Sequence, residues 1–179
     1  MSRQVALLRA VNVGTARPVP MAALRDLAEE LGATGVATHL RSGNLVYDTP
    51  DPPARMATRL ARALGERFGF EVPVVVRTAA EMRRIVAGNP LPAQAAEDPR
   101  RLQVVFLSAR PPAGTLSGLG SEDVGDDAIR VAGREVYVWS PGGITGSPGL
   151  AALGRRRLPV VATARNWRTV ERLVAMLGD

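Results

Sequence analysis

Short apolar runs alternate along this chain with helix-length segments whose apolar residues recur every three or four positions, the pattern of an α+β protein. Residues 4–11 (QVALLRAV) read as a strand closed by Asn12-Val13-Gly14. Over residues 20–31, Met21, Leu24, Leu27, Ala28 and Leu31 share one helical face, with Pro20 in the first turn and Gly32 as the stop. Residues 36–40 and 44–48 read as two strands of a hairpin across Arg41-Ser42-Gly43. Leu45 and Tyr47 face one side of it, Asn44 and Val46 the other. Asp51 is placed to cap a helix bearing Ala57, Leu60, Ala61, Leu64 and Phe68, which ends at Gly69. Residues 71–77 (EVPVVVR) give a fourth strand, with Pro73 marking its start or an edge position. The order βαββαβ is that of a ferredoxin-like unit, an antiparallel four-stranded sheet with two helices on one face.

Thr78 and Glu81 form a capping box, so another helix runs to about Ala87 and stops at Asn89-Pro90. Residues 91–101, rich in proline, alanine and acids, read as a linker between a subdomain at 1–90 and a second, smaller one at 102–179. The second begins with a strand at 102–108, then a weak helix at 112–120 interrupted by three glycines. Strands at 128–132 and 135–139 pair across Gly133-Arg134. A Gly/Pro-rich loop, a short helix near 150–156, a strand at 160–163 and a helix from Trp167 to Leu177 complete the chain. This βαββα order, with its closing strand, echoes the first half without visible repetition of sequence.

Composition narrows the chemistry. All 23 basic residues are arginine, as GC-rich codon usage favours, so the net charge of +6 points only weakly to nucleic acid. The charge is also spread, with 12 arginines against 8 acids in residues 1–90 and 11 against 9 thereafter. The absence of cysteine excludes disulfides, thiol catalysis and Cys-ligated metals, and the single histidine, His39, excludes multi-histidine sites. Four carboxylates at 122–127 lack the spacing of a calcium loop and read as a solvated acidic turn. No apolar stretch is long enough to span a membrane, and the default compartment is the reducing cytoplasm. No lysine-bearing phosphate loop and no dinucleotide fingerprint are present, so no cofactor is called for.

Three polar motifs stand out. The first is Arg9 to Gly14, where alternation along the strand puts Arg9 on an apolar face and Asn12 and Gly14 at its end. A buried arginine needs an acid or a bound anion, and a structural ion pair with a positive-φ turn explains the motif equally. The second is Arg41-Ser42-Gly43-Asn44, either a plain turn or a polar tip over a cleft. The third is Thr163 to Trp167, where Thr163 or Asn166 caps the last helix. A helix N-terminus attracts anions, Arg165 adds a bidentate donor and Trp167 a stacking face; a capped helix with a core tryptophan is the alternative. His39 and Ser42 offer no third member for a hydrolase, and no catalytic residue is assigned. For RNA stacking on the first sheet, the first strand has no aromatic residue and the third offers only Tyr47. The leading expectation is a small anionic or phosphorylated ligand held by Arg9, Asn12, Gly14, Arg41, Ser42, Asn44, Arg165, Asn166 and Trp167 in a polar cleft between the two halves. Binding of a nucleic-acid phosphate backbone, an enzyme acting on a small polar substrate and a purely structural role are the alternatives.

The segments ALLRAVNVG (6–14), VPMAALRDLAEELG (19–32), LRSGNLVYD (40–48), EVPVVVRTAAE (71–81) and VVATARNWRTV (160–170) resemble the bacterial family catalogued as domain of unknown function 1697. The resemblance runs over nearly the whole chain and implies an α+β fold with a ferredoxin-like portion, and no established activity. Arg41 stands where the family usually has glutamine. Pro148, Gly149 and Leu150 follow Ser147 where the family tends to carry Ser-Lys-Leu, so any ligand contact made by that lysine is lost here or supplied by an arginine.

Overall fold

The computed structural model describes residues 1–178, and the chain divides into two compact units. One is Met1–Arg84 together with the chain from Leu173 onward; the other is Ile85–Arg172. The first contains β1 (Ser2–Leu8), α1 (Met21–Glu30), β2 (Thr34–His39), β3 (Asn44–Thr49), α2 (Pro53–Phe68) and β4 (Val74–Thr78). Its antiparallel sheet has the order β2-β3-β1-β4, the ferredoxin-like arrangement, with β4 at an edge as Pro73 suggested. The apolar alternation places Ala6, Leu8, Leu45, Tyr47, Val74 and Val76 on the face that packs against Leu24, Leu27 and Ala28 of α1 and Met56, Leu60 and Leu64 of α2. Each such valine, leucine or methionine side chain contributes about 1.5–3 kcal/mol on burial. Val5, Leu7, Val46, Val75 and Arg77, on the opposite face, are buried as well.

Helix ends follow the residues that punctuate them. Gly32, at φ +85°, closes α1 by donating its N–H to Glu29 at 2.8 Å. Gly69, at φ +76°, closes α2 by donating to Gly65 at 2.9 Å. Asp51 does not cap α2 as its position suggested. Pro52 occupies the N-cap, and the Asp51 carboxylate pairs with Arg59 and, at 3.5 Å, with Arg55. A carboxylate next to two guanidiniums gains more from them than from one backbone N–H. The Thr78–Glu81 capping box forms as read, Glu81 accepting from Thr78 N at 2.8 Å and Thr78 Oγ1 from Glu81 N at 3.2 Å, and it opens α3 (Ala79–Ala87).

The second unit contains α4 (Pro92–Glu97), β5 (Leu102–Leu107), a 3-10 turn at Leu119–Ser121, β6 (Ala128–Ala132), β7 (Glu135–Trp139), α5 (Pro148–Arg155) and β8 (Ala162–Asn166), which leads into α6 (Trp167–Leu177). Residues 91–101, read as linker, therefore include a short helix; none of its residues is buried, so no apolar stripe announced it. The expected helix at 112–120 does not form. Gly114 and Gly118 are left-handed, at φ +87° and +71°, and break the segment into turns. The final strand is shifted to 162–166, so Thr163 is a strand residue and not a cap.

The two sheets match strand for strand, since the second has the order β6-β7-β5-β8. Gln4 faces Thr78 and Val5 faces Arg77; Gln103 faces Asn166 and Val104 faces Arg165. With that register fixed, QVALL aligns with QVVFL, and Arg77-Thr78 with Arg165-Asn166. The repeat lies in scattered pairs that only the strand register brings into line.

Both tyrosines are buried. Tyr47 donates to Gln4 Oε1 at 3.2 Å and Tyr137 to the Ile85 carbonyl at 3.1 Å. Burial pushes Tyr47 well above the ordinary phenol range and raises Tyr137 to about 12 from 10.0, with Glu135 adding to the latter. The folded chain thus keeps protons that the unfolded chain releases near pH 10. The stability linked to them is whole below that pH and is lost as pH rises through 12. As these are the chain's 2 tyrosines, an absorbance titration of the folded protein should show no tyrosinate near pH 10, the signal appearing only together with alkaline unfolding. Tyrosinate with an ordinary midpoint and an intact fold would contradict this placement.

Candidate functional site

The end of the first sheet where β1 stops joins two of the three polar motifs. Leu8 N donates to the Gly43 carbonyl and Arg9 N to the Pro73 carbonyl, both at 2.9 Å, so the segment leaving β1 lies between the β2–β3 hairpin and the start of β4. Pairing with the sheet then ends. Asn12 donates from Nδ2 to the Val19 carbonyl at 2.9 Å and to the Arg41 carbonyl at 2.6 Å, and its Oδ1 accepts from Val19 N at 2.9 Å. One side chain thereby closes the 12–19 loop and clamps it to the hairpin. In the hairpin, Asn44 donates to the His39 carbonyl at 2.8 Å and to Ser42 Oγ at 3.0 Å. Gly43, at φ +79°, has no room for a side chain, since a Cβ there would lie 2.7 Å from Leu8 Cβ and 2.8 Å from Val11 Cγ2.

The backbone is strained in the same place. Among the described residues, five that are not glycine have positive φ, and Ala10, Asn12, Arg17 and Leu40 are four of them. Left-handed backbone costs an L-residue about 1–2 kcal/mol, less for asparagine. Such strain collects where structure serves a ligand or a switch. The strained loops carry Arg9, Arg17 and Arg41, all exposed. Arg17 lies 5.9 Å from the Phe70 ring centroid and donates to the Glu71 carbonyl at 3.4 Å. Among the described residues none of the three has a carboxylate within ion-pair distance, whereas Arg3 pairs with Asp48 at 2.6 Å, Arg67 with Glu30 at 2.6 Å, and Arg155 and Arg156 with Glu122 at 2.8 and 2.9 Å.

Several residues read from sequence sit differently. Arg9 is not on an apolar face; β1 ends at Leu8 and Arg9 points to solvent, because the chain bends where the alternation would have continued to Val11. The buried arginines are Arg77, 1% exposed, and Arg165, 7% exposed. Arg77 donates to the Val76 carbonyl at 3.1 Å; Arg165 donates to Thr163 Oγ1 and the Ala164 carbonyl, each at 2.8 Å. Burial pushes the Arg165 guanidinium down to about 10. Asn166 caps α6, accepting from Thr169 N at 2.9 Å, and Trp167 is buried. In the second unit, then, Arg165, Asn166 and Trp167 are held by the fold itself. Gly14, at φ +58°, turns the exposed part of the 12–19 loop.

Three of the four carboxylates of the acidic turn have structural tasks. Glu122 takes the two arginines of α5 and its C-cap, and Asp123 accepts from Gly125 N at 3.1 Å. Asp127 Oδ2 accepts from Ser147 Oγ at 2.6 Å, Ser140 Oγ at 3.0 Å and Gly149 N at 2.9 Å, while Ser147 caps α5. The departure from Ser-Lys-Leu at 147–150 is thus built into a closed cap network. Arg17 and Phe70 were not singled out from sequence; an arginine between alanine and proline, and a phenylalanine just past a helix stop, carry no spacing signal.

The fold and the strand-end cluster define a two-sheet α+β protein with a ferredoxin-like first unit. The chain belongs to the family described as "Protein of unknown function (DUF1697)", whose model matches residues 1–137. Among solved structures it is similar to "conserved bacterial protein SP0830 from Streptococcus pneumoniae", at 20% identity and TM-score 0.75 over 98% of each chain, a likeness of fold. No curated protein matches it. No helix among the described residues is long and apolar enough to cross a membrane.

Replacing Asn12 tests whether one side chain holds this end together. Asn12→Ala removes three hydrogen bonds and leaves alanine at a left-handed φ, so urea denaturation should show a loss of about 2–3 kcal/mol. A loss below about 0.5 kcal/mol, the size of an ordinary surface substitution, would mean that the loop is not held in this way.

Proposed function

We propose that this protein binds a small anionic ligand, with a phosphoryl group as the preferred anion, at the β1 end of its first sheet. The observation that carries the reading is that Arg9, Arg17 and Arg41, none with a carboxylate partner among the described residues, stand on two neighbouring loops whose left-handed backbone is pinned together by Asn12. Guanidinium groups present planar, paired donors that match phosphate oxygens. The strain supports the reading further, because a loop kept in left-handed conformations spends less freedom on binding. Asn12, Ser42 and Asn44 serve as the frame and the arginines as the ligands, which refines the roles expected of these residues. The proposal rests on the first unit alone.

An RNA-recognition mode is less well supported, because the Tyr47 ring lies under the helices and offers no stacking surface. Calorimetric titration with inorganic phosphate and pyrophosphate tests the proposal. Arg9→Ala and Arg41→Ala should each weaken binding about tenfold, the worth of one charge-assisted hydrogen bond of roughly 1.5 kcal/mol. Equal affinity in wild type and both variants would remove the site. Salt-sensitive binding of a single-stranded oligonucleotide, with no response to pyrophosphate, would replace the reading by one in which a nucleic-acid backbone is the target.

A further inference from the structure

A groove of about 550 Å³ within the first unit is lined in part by Glu71, Val72 and Pro73, beside the loops that carry Arg9 and Arg17. Ala61 and Gly65 of α2 form one wall and Val72 and Pro73 the other. Arg62 and Glu66, paired to each other at 3.2 Å, stand exposed at its rim. The wall at 71–73 is the stretch that anchors two of the three arginines. The Glu71 carbonyl accepts from Arg17 at 3.4 Å and the Pro73 carbonyl from Arg9 N at 2.9 Å. Groove and cationic loops thus share one backbone segment.

Gly65 gives an independent sign that the space serves an occupant. Glycine inside a helix costs about 1 kcal/mol relative to alanine. The fold does not require it, since a Cβ at position 65 would meet only the Phe70 carbonyl oxygen, at an ordinary 3.8 Å. Alanine would be the more stable choice, and glycine keeps the wall open. The volume lies within the range of roughly 300–1,000 Å³ usual for small-molecule sites. Arg62 and Glu66 offset each other at the rim, so Glu71 leaves the lining net negative and disfavours an anion inside it. Charge complementarity therefore divides the ligand, with its anion on the arginines and an uncharged body in the groove.

We propose, on the basis of the anion-binding reading above, that the ligand is a phosphomonoester with a largely apolar organic body. The phosphoryl group contacts Arg9, Arg17 and Arg41, and the body lies along Ala61, Gly65, Val72 and Pro73. Neither part fills the site by itself.

Titration of the full chain with 1-naphthyl phosphate, inorganic phosphate and 1-naphthol tests this. Naphthyl phosphate should bind at least about tenfold tighter than inorganic phosphate, the return on burying roughly two methylene equivalents. Gly65→Leu should abolish that advantage and leave the affinity for inorganic phosphate unchanged; Arg41→Ala should weaken both phosphates. If leucine impairs folding, Arg62→Trp at the rim, where the native side chain is 80% exposed, serves as the second obstruction. Naphthyl phosphate binding no tighter than inorganic phosphate, or keeping its advantage in the folded obstructed variants, overturns the inference and leaves the anion site standing. Naphthol binding as tightly as naphthyl phosphate also overturns it, because groove and arginines would then be separate. Failure of both phosphates to bind removes the anion-binding reading and this inference with it.

Discussion

Each unit depends on a central strand that is paired along both edges and buried on both faces. In β1 every residue from Gln4 to Leu8 is buried, and in β5 every residue from Leu102 to Leu107. Such a strand fixes the register of its neighbours, because a slip by one residue would turn every neighbouring side chain to the opposite face. It also forces polar side chains in its path to find partners. Gln4 meets the demand by bonding Tyr47, Ser2 Oγ at 2.9 Å and the Asp51 carbonyl at 2.8 Å. Among the described residues no buried side-chain nitrogen or oxygen lacks a hydrogen bond. A register with so many dependent contacts leaves little freedom inside the sheet, so conformational variety is confined to its ends.

At the end of β1 the ladder gives way to side-chain hydrogen bonding. Asn12 takes over the role that backbone pairing plays within the sheet, binding one segment of its own loop and one of the hairpin. Ala10 and Arg17 lie within a few positions of it in its own loop, Leu40 adjoins the Arg41 carbonyl that it binds, and Arg9, Arg17 and Arg41 stand on these same two segments. A turn built only to reverse the chain would carry glycine or asparagine at such positions and pair its charges. Leu40 and Arg17 do neither, and their cost is rational if the exposed loops act on something outside the fold. The open wall at Gly65 extends the same argument, since there too a stabilising residue is forgone.

Much of the frame is legible in the residues. The apolar stripe from Met21 to Leu31, the Gly32 and Gly69 stops, the Thr78–Glu81 box and the Gly133-Arg134 hairpin each have a local cause, and each appears where that cause places it. What was missed lacks one. The α4 helix buries nothing, so no stripe marks it. The segment at 112–120 has helical apolar spacing, but two of its glycines adopt a conformation that no local rule compels. Asp51 has the chemistry of a cap and is diverted by arginines one and two turns along the helix. Of the site, Arg9, Asn12 and Arg41 could be singled out from their unusual places beside strands and turns. Their proximity could not, since they come from segments separated by some thirty residues of helix and strand.

The sequence by itself determined the order of elements in the first unit, the helix-facing residues of its sheet and the polar character of its ends, because periodicity, capping and turn chemistry act within a few residues. Tertiary structure alone decided which arginines are buried. Arg9 and Arg77 both adjoin apolar strands, yet β1 bends away before Arg9 while β4 continues through Arg77. It decided equally that the two sheets are equivalent and that Asn12 reaches Arg41, since both rest on the register between strands. Register is a long-range property, set by how two distant segments bury their faces together, and no window along the chain contains it.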